Sequence, residues 1–204
     1  MTASAGSALK ELHRQYGDRV AFLTVYVREA HPGERYPQPD TFERKLAHAR
    51  LYKDRDQIPW RIAVDDVDGS FHQALDQKPN APYFVDIDGR IVFRVLWSND
   101  EAGLRQGFRA LLSEDVASAR GQREAKILPM MRGMGTMDEV LGSAGDVARQ
   151  DFRRAMGPVY AMAKVAGVFR PLSPLGRAIA ALGIVAAAMG TAGVLGWRAV
   201  RRVA

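Results

Sequence analysis

Two hydrophobic periods alternate along the first half of the chain. Ala8, Leu9 and Leu12 recur at helical spacing and stop near Gly17, predicting a short amphipathic helix. Residues 20–27 (VAFLTVYV) are an uninterrupted apolar, β-branched run, the pattern of a strand covered on both faces. Helical spacing returns over 41–52, with Phe42, Leu46 and Ala49 on one face and Asp40 or Thr41 placed to cap the first turn. A short strand is predicted over 61–64 and a short helix over 70–75. Pro82 then opens a strand over 83–86, Asp88-Gly89 predicts a two-residue hairpin turn, and residues 91–96 return antiparallel. A helix over 101–112, showing Leu104, Phe108, Leu111 and Leu112 on its inner face, closes the unit. The order α-β-α-β-α-β-β-α predicts an α/β domain over residues 1–112, with parallel strands covered by helices and an antiparallel hairpin at one edge.

Residues 113–174 differ in character, with Met130, Met131, Met134, Met137, Met156 and Met162 close together. The spacing of Thr136 and Glu139 predicts a capped helix start, and Gly157-Pro158 predicts a break. Beyond the break, Val159, Met162, Ala163 and Ala166 share a helical face. Such a segment is read as a helical connector packed on the domain, the alternative being an interfacial helix whose Lys164 and Arg170 reach lipid headgroups. A methionine stripe of this kind is packing material rather than a cofactor box.

The last segment, 175–204, holds twenty uncharged residues from 178 to 197, bounded by Arg177 and by Arg198, Arg201 and Arg202. That length matches a helix crossing a hydrocarbon core of ~30 Å, and Trp197 suits the interfacial belt. A single-pass C-terminal anchor is therefore expected, and membrane lipid is the expected partner. The alternative is an Ala/Gly-rich core helix. Gly183 and Gly196 bracket a face on which a partner helix can pack closely. No apolar run follows Met1, so no signal peptide is predicted and the soluble domain is expected in the cytoplasm.

Composition narrows the chemistry. Charged residues are 25% and apolar residues 47% of the chain, values that exclude disorder throughout. There is no cysteine, which removes disulfides, thiolate metal sites and a cysteine nucleophile. The net charge of +6 lies entirely beyond residue 112, since residues 1–112 carry 16 basic and 16 acidic side chains. The excess sits with the predicted anchor, so an anionic lipid surface accounts for it and nucleic acid is not expected.

The candidate chemistry gathers where the 20–27 strand ends, at Glu29 and His31. In parallel α/β sheets sites form beyond the carboxyl ends of strands, and a carboxylate beside an imidazole suits general acid–base work. Spacing alone favours a solvated loop pair over a catalytic one. Pro82, after Asn80-Ala81, is a candidate substrate-binding residue at the start of its strand. The clusters Asp65-Asp66-Val67-Asp68-Gly69 and Asp86-Ile87-Asp88-Gly89 lack calcium-loop spacing and are read as turns and caps. His13, His48 and His72 are expected to be solvated. No metal site and no cofactor motif is predicted.

Residues 22–32, FLTVYVREAHP, resemble the iodothyronine deiodinase family of thioredoxin-like selenoproteins, in which a very similar strand ends in Glu-Ala-His. The resemblance continues through Val64-Asp65-Asp66-Val67-Asp68 and the Pro82 strand and hairpin, covering roughly residues 5–112. It implies a thioredoxin-like mixed sheet whose first strand is missing here, and a redox activity in which Glu29 and His31 serve a cysteine or selenocysteine on a loop before residue 1. Pro82 falls where such folds keep a cis-proline. The family's later substrate-contacting histidine and arginine have no match; Tyr36-Pro37-Gln38-Pro39 and Trp97-Ser98-Asn99-Asp100 stand near those places. Two functions are thus expected. One is a membrane-anchored oxidoreductase-family protein, using a thiol reductant and inactive without its nucleophile. The other is a non-catalytic module that binds a protein partner at the membrane.

Overall fold

The computed structural model describes residues 2–29, 32–75, 77–78, 80–113 and 119–203, with side chains described between 6 and 191. The chain is mixed α/β. It runs through α1 (Thr2–Tyr16), β1 (Leu23–Tyr26), α2 (Phe42–Arg55), β2 (Arg61–Val64), α3 (Ser70–Ala74), β3 (Tyr83–Val85), β4 (Ile91–Val95) and α4 (Glu101–Leu111). After these come β5 (Gly121–Arg123), α5 (Ile127–Ala144), α6 (Asp146–Ala155), α7 (Gly157–Val168) and α8 (Pro174–Val203).

Local chemistry explains most boundaries. Thr41 caps α2, its Oγ1 accepting the Arg44 amide at 3.3 Å. Asp65 Oδ1 accepts the Phe71 amide at 3.1 Å and its Oδ2 the His72 amide at 3.0 Å, while Asp66 Oδ1 accepts the Ser70 amide at 2.9 Å. The first aspartate cluster thus starts α3. The second builds the hairpin, but as a three-residue loop rather than the expected two-residue turn. The Gly89 amide donates to Asp86 O at 3.1 Å, and Asp86 Oδ1 accepts the Asp88 and Arg90 amides. Only Gly89 in that loop has positive φ, at +80°. A two-residue type I′ turn needs two such residues, so the chain takes a type I turn closed by a glycine bulge.

The strands form two sheets instead of one. β1 pairs with β2 in parallel, Leu23 opposite Arg61 and Tyr26 opposite Val64. β3 and β4 pair antiparallel, and β5 adds to β4 in parallel. The expectation that 20–27 is a strand buried on both faces also fails. β1 is four residues long and Leu23 is 60% exposed. Among the described residues β1 has a strand on one edge only. Val20 and Phe22, just before β1, pack against the core of the other sheet.

That core is aromatic. Tyr16 stacks on Phe108 at 4.4 Å between centroids, and Phe108 also meets Phe22 at 5.6 Å and Phe84 edge-on at 5.0 Å. Leu12, Val92, Val95 and Leu104 complete it. Trp60 joins β1 to β2, its Nε1 donating to Thr24 Oγ1 at 2.9 Å. β5 has no apolar residue to announce it, and backbone pairing with β4 alone makes it a strand.

Helices α5, α7 and α8 pack together. The Thr136–Glu139 segment lies inside α5 and does not begin it: Thr136 Oγ1 donates to Gly133 O at 3.1 Å. Asp138 is occupied by Lys164 Nζ at 2.9 Å and Glu139 by Arg177 Nη1 at 2.7 Å, so Glu139, the expected capping acid, bridges two helices instead. Asp138 also lies against Gly167, while Tyr160, near the start of α7, packs on the Leu141, Ala144 and Ala148 cluster, so α7 runs antiparallel to α5. In α8 the contacts advance together with α5, Gly135 against Pro174 and Glu139 with Arg177, so these two run parallel. Ala163, Ala166, Ala178 and Ala181 are buried in the seam. The bundle is tied to the α/β part by Asn99 Nδ2, which donates to Pro129 O at 2.9 Å, and by Arg132 Nη1, which donates to Asn99 O at 2.7 Å.

The stretch Pro174–Thr191 of α8 is long and apolar enough to cross a membrane, and little of it is buried. Ile179, Leu182, Ile184 and Met189 stand exposed along it. A core helix would bury those side chains.

Candidate functional site

Beyond the carboxyl end of β1 the chain places Glu29 among ionisable and aromatic groups. The Tyr26 hydroxyl donates to Glu29 Oε1. From α2, His48 Nδ1 lies 3.7 Å from the same oxygen, with side chains 13% and 23% exposed for His48 and Glu29 respectively. That separation is an ion-pair distance and too long for a hydrogen bond; His48 Nδ1 is buried with no hydrogen-bond partner among the described residues. The Tyr36 ring meets the His48 imidazole edge-on at 6.0 Å. The Arg55 guanidinium stands 5.8 Å from the ring centres of both Tyr36 and Tyr52, and Tyr52 lies 6.3 Å from Tyr26.

Burial raises the Glu29 carboxyl above its ordinary value of 4.5, and the positive charge of Arg55 offsets part of that rise. The result is a carboxylic acid that keeps its proton further toward neutral pH, beside a phenol and an imidazole. A carboxyl raised in this way is a candidate proton donor for general acid–base chemistry.

The expected partner of Glu29, His31, lies outside the described residues. His48 stands beside the carboxylate. It was expected to be solvated, as were His13 and His72, and all three are half-buried. His13 sits among Phe22 and Trp60 at 5.0 and 5.3 Å, and His72 Nε2 lies 3.3 Å from Lys78 O. The signal for the missed members was in the α2 sequence, where His48, Tyr52 and Arg55 follow i, i+4, i+7 spacing and so share one face.

Pro82 opens β3 and its carbonyl accepts the Val95 amide at 3.0 Å. No cis peptide bond is present among the described residues, so the Ala81–Pro82 bond is trans. No hydrogen bond or ion pair joins Pro82 to the Glu29 cluster among those residues. The 97–100 segment serves structure, with Asp100 accepting from Arg123 Nε at 2.8 Å and Asn99 clasping α5 as described. Lys45 is 1% exposed and donates from Nζ to Asp66 O, fastening α2 to the turn before α3. Among the described residues no group of three or more His, Asp or Glu side chains is arranged to hold a metal.

One wall of the cluster is fixed by the bundle. Gly33 packs on the Ala144 backbone, the Arg35 amide donates to Ala144 O at 3.3 Å, and the Gly33 amide donates to Tyr36 O at 3.0 Å. Glu34 accepts the Asp146 amide on one oxygen and the Val147 amide, at 2.9 Å, on the other. A hydrogen bond from its own backbone amide, and then those from Val147 and Asp146, hold its carboxyl below the usual range, and the latter two cap α6. No family model, curated protein or solved structure matches the chain.

Proposed function

We propose that the chain is a membrane-anchored, thioredoxin-like protein of the deiodinase-like redox class, whose own residues supply the acid–base half of a redox site. The observation that carries this reading is Glu29, a carboxylic acid with raised pKa held between Tyr26 and His48 at the end of β1. The chain has no cysteine, so the chalcogen comes from outside these residues. Given a selenolate, a hydroperoxide substrate and the Glu29 proton, the step balances. Selenium attacks the distal peroxide oxygen, the O–O bond breaks, and the leaving alkoxide takes the proton; selenium is oxidised to the selenenic acid and the peroxide reduced to the alcohol. α8 serves as the anchor, with the α/β part on the cytoplasmic side.

The test has two parts. Carbon-13 NMR of labelled glutamate is expected to show Glu29 titrating above 4.5, and a solvated value at or below 4.5 overturns the acid–base reading. With a small selenol added in trans, wild type is expected to reduce an alkyl hydroperoxide at least about tenfold faster than Glu29→Gln, the low side of general acid–base effects. Equal rates overturn the redox reading. A second reading, a module that binds a partner strand, is favoured by a different observation. β1 and β3 each have a strand on one edge only among the described residues, with Leu23 and Val85 exposed beside those edges.

A further inference from the structure

We propose that the face formed by α6 and the Gly33–Glu34 loop rests on the bilayer surface, so that the wall of the Glu29 cluster lies at headgroup level. This rests on the reading of α8 as the anchor and adds which end of the molecule meets the lipid. The first observation is direction. α5 and α8 run parallel, with Gly135 beside Pro174 and Glu139 beside Arg177, so α8 leaves the bundle at the end where α5 stops, at Ala144. α7 runs the other way, which brings its start, Gly157, to that same end. α6, from Asp146 to Ala155, joins those two points and therefore closes the end from which α8 emerges.

The second observation is length. Level with Ala144, α8 has reached about residue 183, counting equal helical rise along the two parallel helices. From Ile184 to Trp197, the last residue before Arg198, there are fourteen residues, about 21 Å of helix. A hydrocarbon core is ~30 Å thick. The uncharged stretch reaches that thickness only when the two turns carrying Ala178 and Ala181 are counted, and both of those residues are buried in the bundle. The anchor has no slack. For the uncharged helix to cross, the α6 end must settle into the interfacial layer, by roughly the 5–10 Å at which amphipathic helices lie.

The surface of α6 suits that position. Val147 and Met156 are exposed apolar residues at its two ends, and Arg153 and Arg154 are exposed between them, Arg154 paired with Asp151 at 3.5 Å; interfacial helices combine exposed apolar and basic side chains. Lys164 of α7 is paired with Asp138 of α5 at 2.9 Å. The bilayer contact is assigned to α6 because α6 closes the end from which α8 emerges. Glu34, capping α6, and Gly33, against Ala144, carry the 33–36 loop to this end. Tyr36, at the close of that loop, touches His48.

Because the chain has no cysteine, a single introduced thiol reports one position cleanly. Full-length variants Val147→Cys, Val168→Cys and Ala188→Cys, each labelled with a fluorophore, are reconstituted into 3:1 phosphatidylcholine:phosphatidylglycerol vesicles carrying a nitroxide on the headgroup or on the acyl chain. Val147 and Val168 are exposed and are separated along the bundle by the length of α7, about 18 Å. The proposal expects acyl-chain quenching at Ala188, and headgroup quenching at Val147 at least double that at Val168. Acyl quenching at Ala188, with Val147 quenched no more than Val168, overturns the proposal and leaves the anchor standing. No acyl quenching at Ala188 overturns both. Circular dichroism of each labelled variant confirms that the helices are intact, and Gln150→Cys on α6 repeats the measurement if Val147→Cys is not folded.

Discussion

Gly135→Ala tests the helix seam on which the anchor depends. A Cβ at Gly135 falls 1.9 Å from Pro174 O, 2.7 Å from its carbonyl carbon and 3.1 Å from its Cα. Ordinary contact begins at 3.4 Å, so the helices have to part locally by about 1.5 Å, an overpacking strain. Both sides of the clash are backbone, and no rotamer change relieves it. Overpacking of this kind costs about 1–3 kcal/mol, and a backbone clash belongs at the upper end. Alanine returns up to about 1 kcal/mol of helix propensity, leaving a loss of about 2 kcal/mol. In a chain of this size each kcal/mol moves Tm by about 2–4 °C, so a fall of about 4–8 °C is expected. The displacement also strains the Arg177–Glu139 pair, now 2.7 Å apart with Arg177 13% exposed. The assay is calorimetry of the full chain in detergent micelles, with Gly6→Ala alongside. Gly6 lies in α1 with nothing within 4 Å of its Cβ position, so the same substitution there is expected to hold or raise Tm. If Gly135→Ala melts at or above wild type, the close approach of α5 and α8 is refuted.

Three further outcomes follow from named contacts. The folded Glu29 carboxyl titrates above its ordinary 4.5, so its contribution to stability is fully present below 4.5 and is lost as pH rises through the folded value. Glu29→Gln is expected to flatten the stability–pH curve in that window in denaturant titrations, and an unchanged slope speaks against burial of the acid. Glu34 behaves oppositely: its pKa is lowered by its own backbone amide and by the Val147 and Asp146 amides, so the cap acts above 4.5 and fails as pH falls through its folded value. Glu34→Gln is expected to speed hydrogen exchange at the Asp146 and Val147 amides at pH 7, and equal exchange rates would show that the cap is not made. Asn99→Leu removes the 2.9 Å hydrogen bond to Pro129 O at a residue 3% exposed and is expected to cost about 1–3 kcal/mol. The urea midpoint measures it, and a midpoint within error of wild type would mean the bundle is not clasped there.

Features that depend on near neighbours along the chain are legible without the fold. The helices over 42–55, 70–74 and 101–111 follow from apolar spacing and from side chains such as Thr41 that bond to amides a few residues away. The break at Gly157-Pro158 and the uncharged run beyond Arg177 are equally local. Placing Glu29 at the end of a strand needed only the 20–27 pattern. The tertiary structure decided what distance along the chain hides. An apolar run such as 20–27 reads alike whether one edge or both are paired, because hydrophobicity records burial and says nothing of which strand provides it. The Thr136–Glu139 spacing marks a helix start only if no earlier turn extends through it, and the packing of α7 and α8 on α5 supplies that turn. β5 exists through pairing with β4, with no apolar residue of its own to signal it. His48 was legible as a helical residue but not as the neighbour of Glu29, since nineteen residues of chain separate them and only the packing of α2 beside β1 brings the imidazole to the carboxylate. The raised pKa of Glu29 has the same origin: it is a property of the surroundings that folding assembles, and no residue in the EAH motif carries it alone.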